Sequence, residues 1–131
     1  MRLVVDSSVV VATCLAGGKL GPLAPHELRA PAHLAAEVTS VIREQAFRRE
    51  IPTEQAVQAL QFLPALGIRY EAPGSFAAAA FQIAADLGWA KTYDAEYVAL
   101  AVAIHAPLVT LDGRLRRRVA NLVRVIGPLE I

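Results

Sequence analysis

Four acidic residues stand in settings where a small chain would normally carry apolar or neutral ones: Asp6, Glu37, Asp94 and Asp112. Asp6 ends the run Leu3-Val4-Val5, and Asp112 ends Leu108-Val109-Thr110-Leu111. Asp94 opens a long apolar helical stretch, and Glu37 lies among aliphatic residues in another. Only four aspartates occur in the chain, and three of them belong to this set. If these segments fold together, negative charge concentrates at one edge of the core. Repulsion and desolvation make that costly unless a cation neutralises it. The chemistry implied is a divalent-metal site of the kind that serves phosphoryl transfer or hydrolysis.

Each acid also has a plainer explanation. Asp6 would cap a following helix, Asp94 would face a helix dipole beside Thr92, Asp112-Gly113 would make a turn, and Glu37 would be a helix-face residue. All four must then fall near one edge by accident. Glu44, Glu50, Glu54 and Glu71 read as solvated charges, and Glu96 is intermediate because it neighbours Asp94 on the same helix.

The elements that must position these acids follow from hydrophobic period and punctuation. Residues 2–6 read as a short buried strand. Ser7 and Ser8 are placed to cap a helix over 8–16 that Gly17-Gly18 ends. A short helix or loop at 20–27 leads to a brief strand from Leu28 to Ala30. His33 to Arg49 is helical, with Leu34, Val38, Val41, Ile42 and Gln45 along one side. Thr53 caps a helix to Leu66, and Ile68 to Ala72 is a strand. Ser75 caps an alanine-rich helix ending at Leu87. Thr92 starts a helix running through Ala106, which Pro107 breaks. Leu108 to Leu111 is a second buried strand, Asp112-Gly113 turns into an arginine-rich helix, and Leu122 to Ile126 is the last strand.

Strands separated by helices imply parallel pairing and a three-layer α/β/α sandwich with a sheet of four or five strands. Residues 1–131 form one domain, with no repeat or linker. In such sheets sites form at the carboxyl ends of strands where the strand order reverses. Asp6 and Asp112 both occupy that end, and neighbouring strands would let them share a cation. Asp94 lies in the first turn of its helix, and Glu37 shares a face with Leu34 and Val41, toward the sheet.

Composition narrows the partners. Over 131 residues the net charge is +1, so no global field draws the chain to nucleic acid. Locally, Arg114, Arg116, Arg117 and Arg118 fall within five residues, and Arg43, Arg48 and Arg49 form a second group. Arginines beside an acidic site suit a phosphate backbone; the alternative is a solvated helix face. No aromatic interleaving suggests base stacking. Hydrophobic residues make up 55% and mean hydropathy is +0.41, with no apolar run long enough to span a bilayer. The surplus points to a protein partner or a second copy, with Val10, Phe47, Leu60 and Phe62 among the residues available. Cys14 stands alone, which fits a small buried hydrophobe in a reducing cytoplasm. His26, His33 and His105 match no ligand spacing and read as surface or capping residues.

Over essentially its full length the chain resembles PIN-domain proteins, specifically the VapC-like ribonuclease toxins of toxin–antitoxin pairs. The resemblance rests on Val4-Val5-Asp6-Ser7-Ser8, on Leu34-Ala35-Ala36-Glu37-Val38, on Tyr93-Asp94-Ala95-Glu96-Tyr97-Val98-Ala99-Leu100-Ala101, and on Leu108-Val109-Thr110-Leu111-Asp112. It implies a sheet in order 3-2-1-4-5, with Asp6, Glu37, Asp94 and Asp112 as the catalytic and metal-binding set for Mg²⁺ or Mn²⁺. It also implies RNA cleavage, a homodimer, and inhibition by a cognate antitoxin that brings a basic side chain near the acids. Ser8 and Thr110 match positions whose hydroxyls orient the carboxylates or metal waters. The alternatives are a non-catalytic PIN-like binder of RNA or antitoxin, and a magnesium-binding receiver domain. A receiver would need an acidic pair after the first strand, and a haloacid-dehalogenase-like phosphatase would need Asp where Ser8 stands.

Overall fold

The structure, a computed structural model, describes residues 1–131 apart from the side chain of Pro73. Five short strands form one sheet: β1 (Arg2–Val5), β2 (Glu27–Pro31), β3 (Arg69–Glu71), β4 (Leu108–Val109) and β5 (Val125–Ile126). Their order is β3-β2-β1-β4-β5 and every pairing is parallel. Six helices flank the sheet: α1 (Ser7–Leu15), α2 (Leu34–Phe47), α3 (Thr53–Phe62), α4 (Ala77–Leu87), α5 (Tyr93–Ala103) and α6 (Gly113–Val119). This is the α/β/α sandwich the alternation of elements predicts. The innermost strands are continuous apolar runs because both faces are covered: Leu3, Val4, Val5, Leu108 and Val109 are wholly buried. Helices α1, α2 and α3 pack against one another, α4 packs on α5, and α5 lies along β1, β2 and β4.

Several predicted boundaries move, each for a local reason. Asp6, not Ser7 or Ser8, is the N-cap of α1: its backbone is extended and its carboxylate accepts from the Val9 amide at 3.2 Å. Neither Thr53 nor Ser75 caps its helix; Pro52 and Phe76 hold those positions without a side-chain hydrogen bond, and Thr92 precedes α5 without one. The helix expected to reach Leu66 changes to a 3-10 turn at Leu63–Leu66, which carries Pro64 and its missing amide donor. The α5 helix stops at Ala103 rather than Ala106, and His105 takes a left-handed backbone with φ 52°. The fourth strand ends at Val109, so Asp112 lies beyond the strand and caps α6, accepting from the amides of Arg114 at 2.9 Å and Leu115 at 3.2 Å. Val10, expected on a partner surface, is buried in the core. Leu60 and Phe62 are half-buried, whereas Phe47 is exposed with Arg43 over its ring. Cys14 is buried and unpaired, as its neighbours predict.

Candidate active site

The pairing of β1 with β4 places Val5 opposite Val109. One step further along both strands, Asp6 and Thr110 meet. Thr110 donates its hydroxyl to Asp6 Oδ2, and Ser8 donates to Asp6 Oδ1 at 2.6 Å. The same two hydroxyls also accept: the Asp112 amide donates to Thr110 Oγ1 at 2.9 Å, and the Leu111 amide donates to Ser8 Oγ at 3.0 Å. Asp6 and Thr110 are both buried. A buried carboxylate is tolerable only when its lone pairs are met, and this lattice meets them while tying the start of α1 to the segment after β4. Burial still pushes the Asp6 carboxyl above the ordinary range, and the charge of Asp112 adds to it. The donors from Ser8, Thr110 and Val9 pull the other way.

Glu37 reaches the site from α2, half-buried. Tyr97 of α5 donates its hydroxyl to Glu37 Oε1 at 2.8 Å. His33, one turn before Glu37, brings Nε2 to 2.8 Å of the same oxygen, with Nδ1 3.5 Å from Glu96 Oε2. The Nε2 contact is not aligned as a hydrogen bond, so we read it as close charge pairing. Burial works to raise the Glu37 carboxyl, but His33 and Tyr97 together bring it below the ordinary range. Burial likewise lowers the His33 imidazole, and the Glu37 and Glu96 carboxylates outweigh that and raise it. The Tyr97 phenol is held far above its usual value by burial and by the charges of Glu37, Asp6 and Asp94, so it remains a donor.

Asp94, in the first turn of α5, links the remaining acids. It lines one cavity with Glu37 and a second, of about 250 Å³, with Asp112. Burial, then the charges of Glu37 and Asp112, raise its carboxyl, with His33 opposing. The four acids thus form a run of electrostatic neighbours at the carboxyl ends of β1 and β4. Among the described residues, no three carboxylate, imidazole or thiolate groups converge closely enough to grip one ion directly. The donor set itself is hard oxygen and carries excess negative charge. It fits a cation such as Mg²⁺, which takes one or two carboxylates and keeps several waters.

No protein-family model matches the chain. Among curated proteins, the ribonuclease VapC9 of Mycobacterium tuberculosis H37Rv is 36% identical over 115 residues, covering 86% of this chain and 87% of its own length. The VapC ribonuclease Mb0985 of Mycobacterium bovis matches to the same degree. The chain belongs to the VapC ribonuclease family. Solved structures agree on the PIN-type fold. PAE2754 from Pyrobaculum aerophilum superposes with TM-score 0.73 at 18% identity, over 99% of this chain and 91% of its own. A chain of VapBC2 from Rickettsia felis, solved with a DNA fragment from their promoter, gives 0.67 at 17% over 97% and 98%.

The arginines of this VapC-family chain separate by partner. Arg114 and Arg118 line the Asp94–Asp112 cavity. Arg116 donates from both terminal guanidinium nitrogens, Nη1 and Nη2, to the Glu130 carboxylate at 2.5 and 2.8 Å, and Arg117 is exposed. Four residues at the site carry little signal in the sequence: His33, Tyr97, Trp89 and Tyr93. His33 holds the N-cap position of α2, as its capping assignment from sequence expects, though without a side-chain cap hydrogen bond, and its i, i+4 spacing to Glu37 signals the further contact. Tyr97 stands three residues after Asp94 on the same helix. Trp89 and Tyr93 line the Glu37–Asp94 cavity, which places aromatic rings beside the acids where sequence spacing suggested none.

Proposed function

We propose that this chain hydrolyses phosphodiester bonds in RNA as the toxin of a toxin–antitoxin pair, using one or two Mg²⁺ or Mn²⁺ ions held directly or through waters by Asp6, Glu37, Asp94 and Asp112. The observation that supports this most is the gathering of four carboxylates at the ends of β1 and β4, in a chain related to ribonucleases over most of its length. When bound, the cation supplies an activated water and stabilises charge on the phosphate. The chain's own residues do the rest. Ser8 and Thr110 hold Asp6 with both oxygens engaged, Tyr97 and His33 fix Glu37 through Oε1, and Arg114 and Arg118 meet the phosphate backbone. The lowered Glu37 carboxyl favours an ionised ligand at neutral pH.

An antitoxin segment carrying a basic side chain would neutralise the same acids and compete with metal or substrate. A homodimer would cover exposed apolar residues such as Phe47, Val57 and Phe81. Among the described residues no helix is long and apolar enough to cross a membrane.

The test is cleavage of end-labelled RNA by the purified chain with Mg²⁺ or Mn²⁺. Asp6→Asn and Asp94→Asn should each abolish product while retaining a cooperative melt. Undiminished cleavage in EDTA would remove the metal from the reading, and full activity in either variant would remove the site.

A further inference from the structure

We propose that Trp89 and Tyr93 form a subsite that stacks a nucleobase of the RNA beside the carboxylates, so that the chain holds its substrate through base faces as well as phosphates. The inference rests on the nuclease reading and adds to it a place for the base.

Trp89 occupies a position that its neighbours make rigid. The α4 helix ends at Gly88, whose φ of 73° suits glycine. The Trp89 amide then donates to the Ala84 carbonyl at 2.8 Å and the Gly88 amide to Ala85 at 3.2 Å, closing a Schellman-type end. The Arg118 guanidinium lies 5.7 Å from the indole centroid and donates to the Leu87 carbonyl, which brackets the ring from α6.

The half-buried indole borders both cavities that contain Asp94. One is shared with Asp112, Arg114 and Arg118, and the other with Glu37, Lys91 and Tyr93. Tyr93 is more than half exposed, with its ring 5.4 Å from the His33 ring. Carboxylates therefore alternate with aromatic rings and cations along one continuous surface. A strand whose phosphate lies at the acids places its adjoining base within reach of an aromatic face, and its next phosphates near Arg114, Arg118 or Lys91. Stacking of this kind tolerates any base, because each has a π-face.

Trp89 is the sole tryptophan, so selectively excited tryptophan fluorescence reports on this subsite alone. In EDTA, where no cleavage occurs on the nuclease reading, the chain is titrated with a short oligouridylate and with an abasic ribose-phosphate oligomer of equal length. The expected result is quenching by the oligouridylate and about tenfold weaker binding of the abasic oligomer. Tyr93→Ala, at an exposed position, should lower oligouridylate affinity by about tenfold and leave abasic affinity unchanged. If both oligomers bind equally and Tyr93→Ala changes neither, the base subsite is wrong and the nuclease reading stands. If neither oligomer binds at low salt, the base subsite is overturned, while the nuclease reading, which needs the cation, is decided by the cleavage assay.

Discussion

Thr110→Val removes one hydroxyl from the centre of the site and keeps its shape. In the native chain that hydroxyl donates to Asp6 Oδ2 and accepts from the Asp112 amide at 2.9 Å, at a buried position. A hydrogen bond to a charged group contributes about 1.5–3 kcal/mol and a neutral one about 0.5–1.5 kcal/mol. Ser8 and the Val9 amide remain on Asp6 Oδ1, so the loss falls toward the lower part of that sum, about 2–3 kcal/mol. For a chain of this length that corresponds to a fall in melting temperature of roughly 8–12 °C. The assay is thermal unfolding of the metal-free protein at pH 7, with Asp6→Asn and the double variant completing a cycle. In the Asp6→Asn background the same change should cost about 1–2 kcal/mol, because only neutral bonds remain. The variant also lets the Asp6 carboxyl rise further, so its deficit should grow as pH increases through that group's titration and shrink in acid. An unchanged melting temperature, or an equal cost with and without the Asp6 carboxylate, would refute the claim that this bond holds the site together.

Further outcomes follow from the same geometry. Asp6 and Asp94 have raised carboxyls in the fold, so the stability they contribute is complete below the unfolded value of about 3.9 and is lost as pH rises through the raised folded values. His33, also raised, acts in the same direction at higher pH, and Glu37, lowered, loses its contribution only in acid. Metal-free protein should therefore lose stability as pH rises through those raised values, less steeply in Asp94→Asn; melting temperatures that climb with pH over the same span would contradict it. Tyr97→Phe removes the donor to Glu37 Oε1 and should weaken Mn²⁺ binding, read by calorimetry, while a matched affinity would show that the tyrosine merely fills space. Arg114→Ala should reduce RNA affinity and its salt slope more than Arg116→Ala does, because Glu130 already engages Arg116; equal losses would mean that this ion pair opens on binding.

The sequence by itself determined the architecture and pointed to the four acids that meet at the carboxyl edge of the sheet. Branched aliphatic runs at 3–5 and 108–109, separated by amphipathic helices, leave parallel pairing as the economical way to bury both strands, and an aspartate just past each run then faces the carboxyl edge. Such signals are local, because period and punctuation act within one element. Tertiary structure decided how the acids are held. The partner of Asp6 is Thr110, 104 residues away, and their meeting depends on the register of β1 against β4. The packing of α5 beside α2 brings Tyr97 to Glu37 across 60 residues and sets His33 between Glu37 and Glu96. The ends of α4 and α6 set Trp89 against Arg118 beside the acids, and Glu130 engages one arginine of a run that looks uniform in sequence. Side-chain chemistry at a distance follows from register and helix packing, which no single window of sequence encodes.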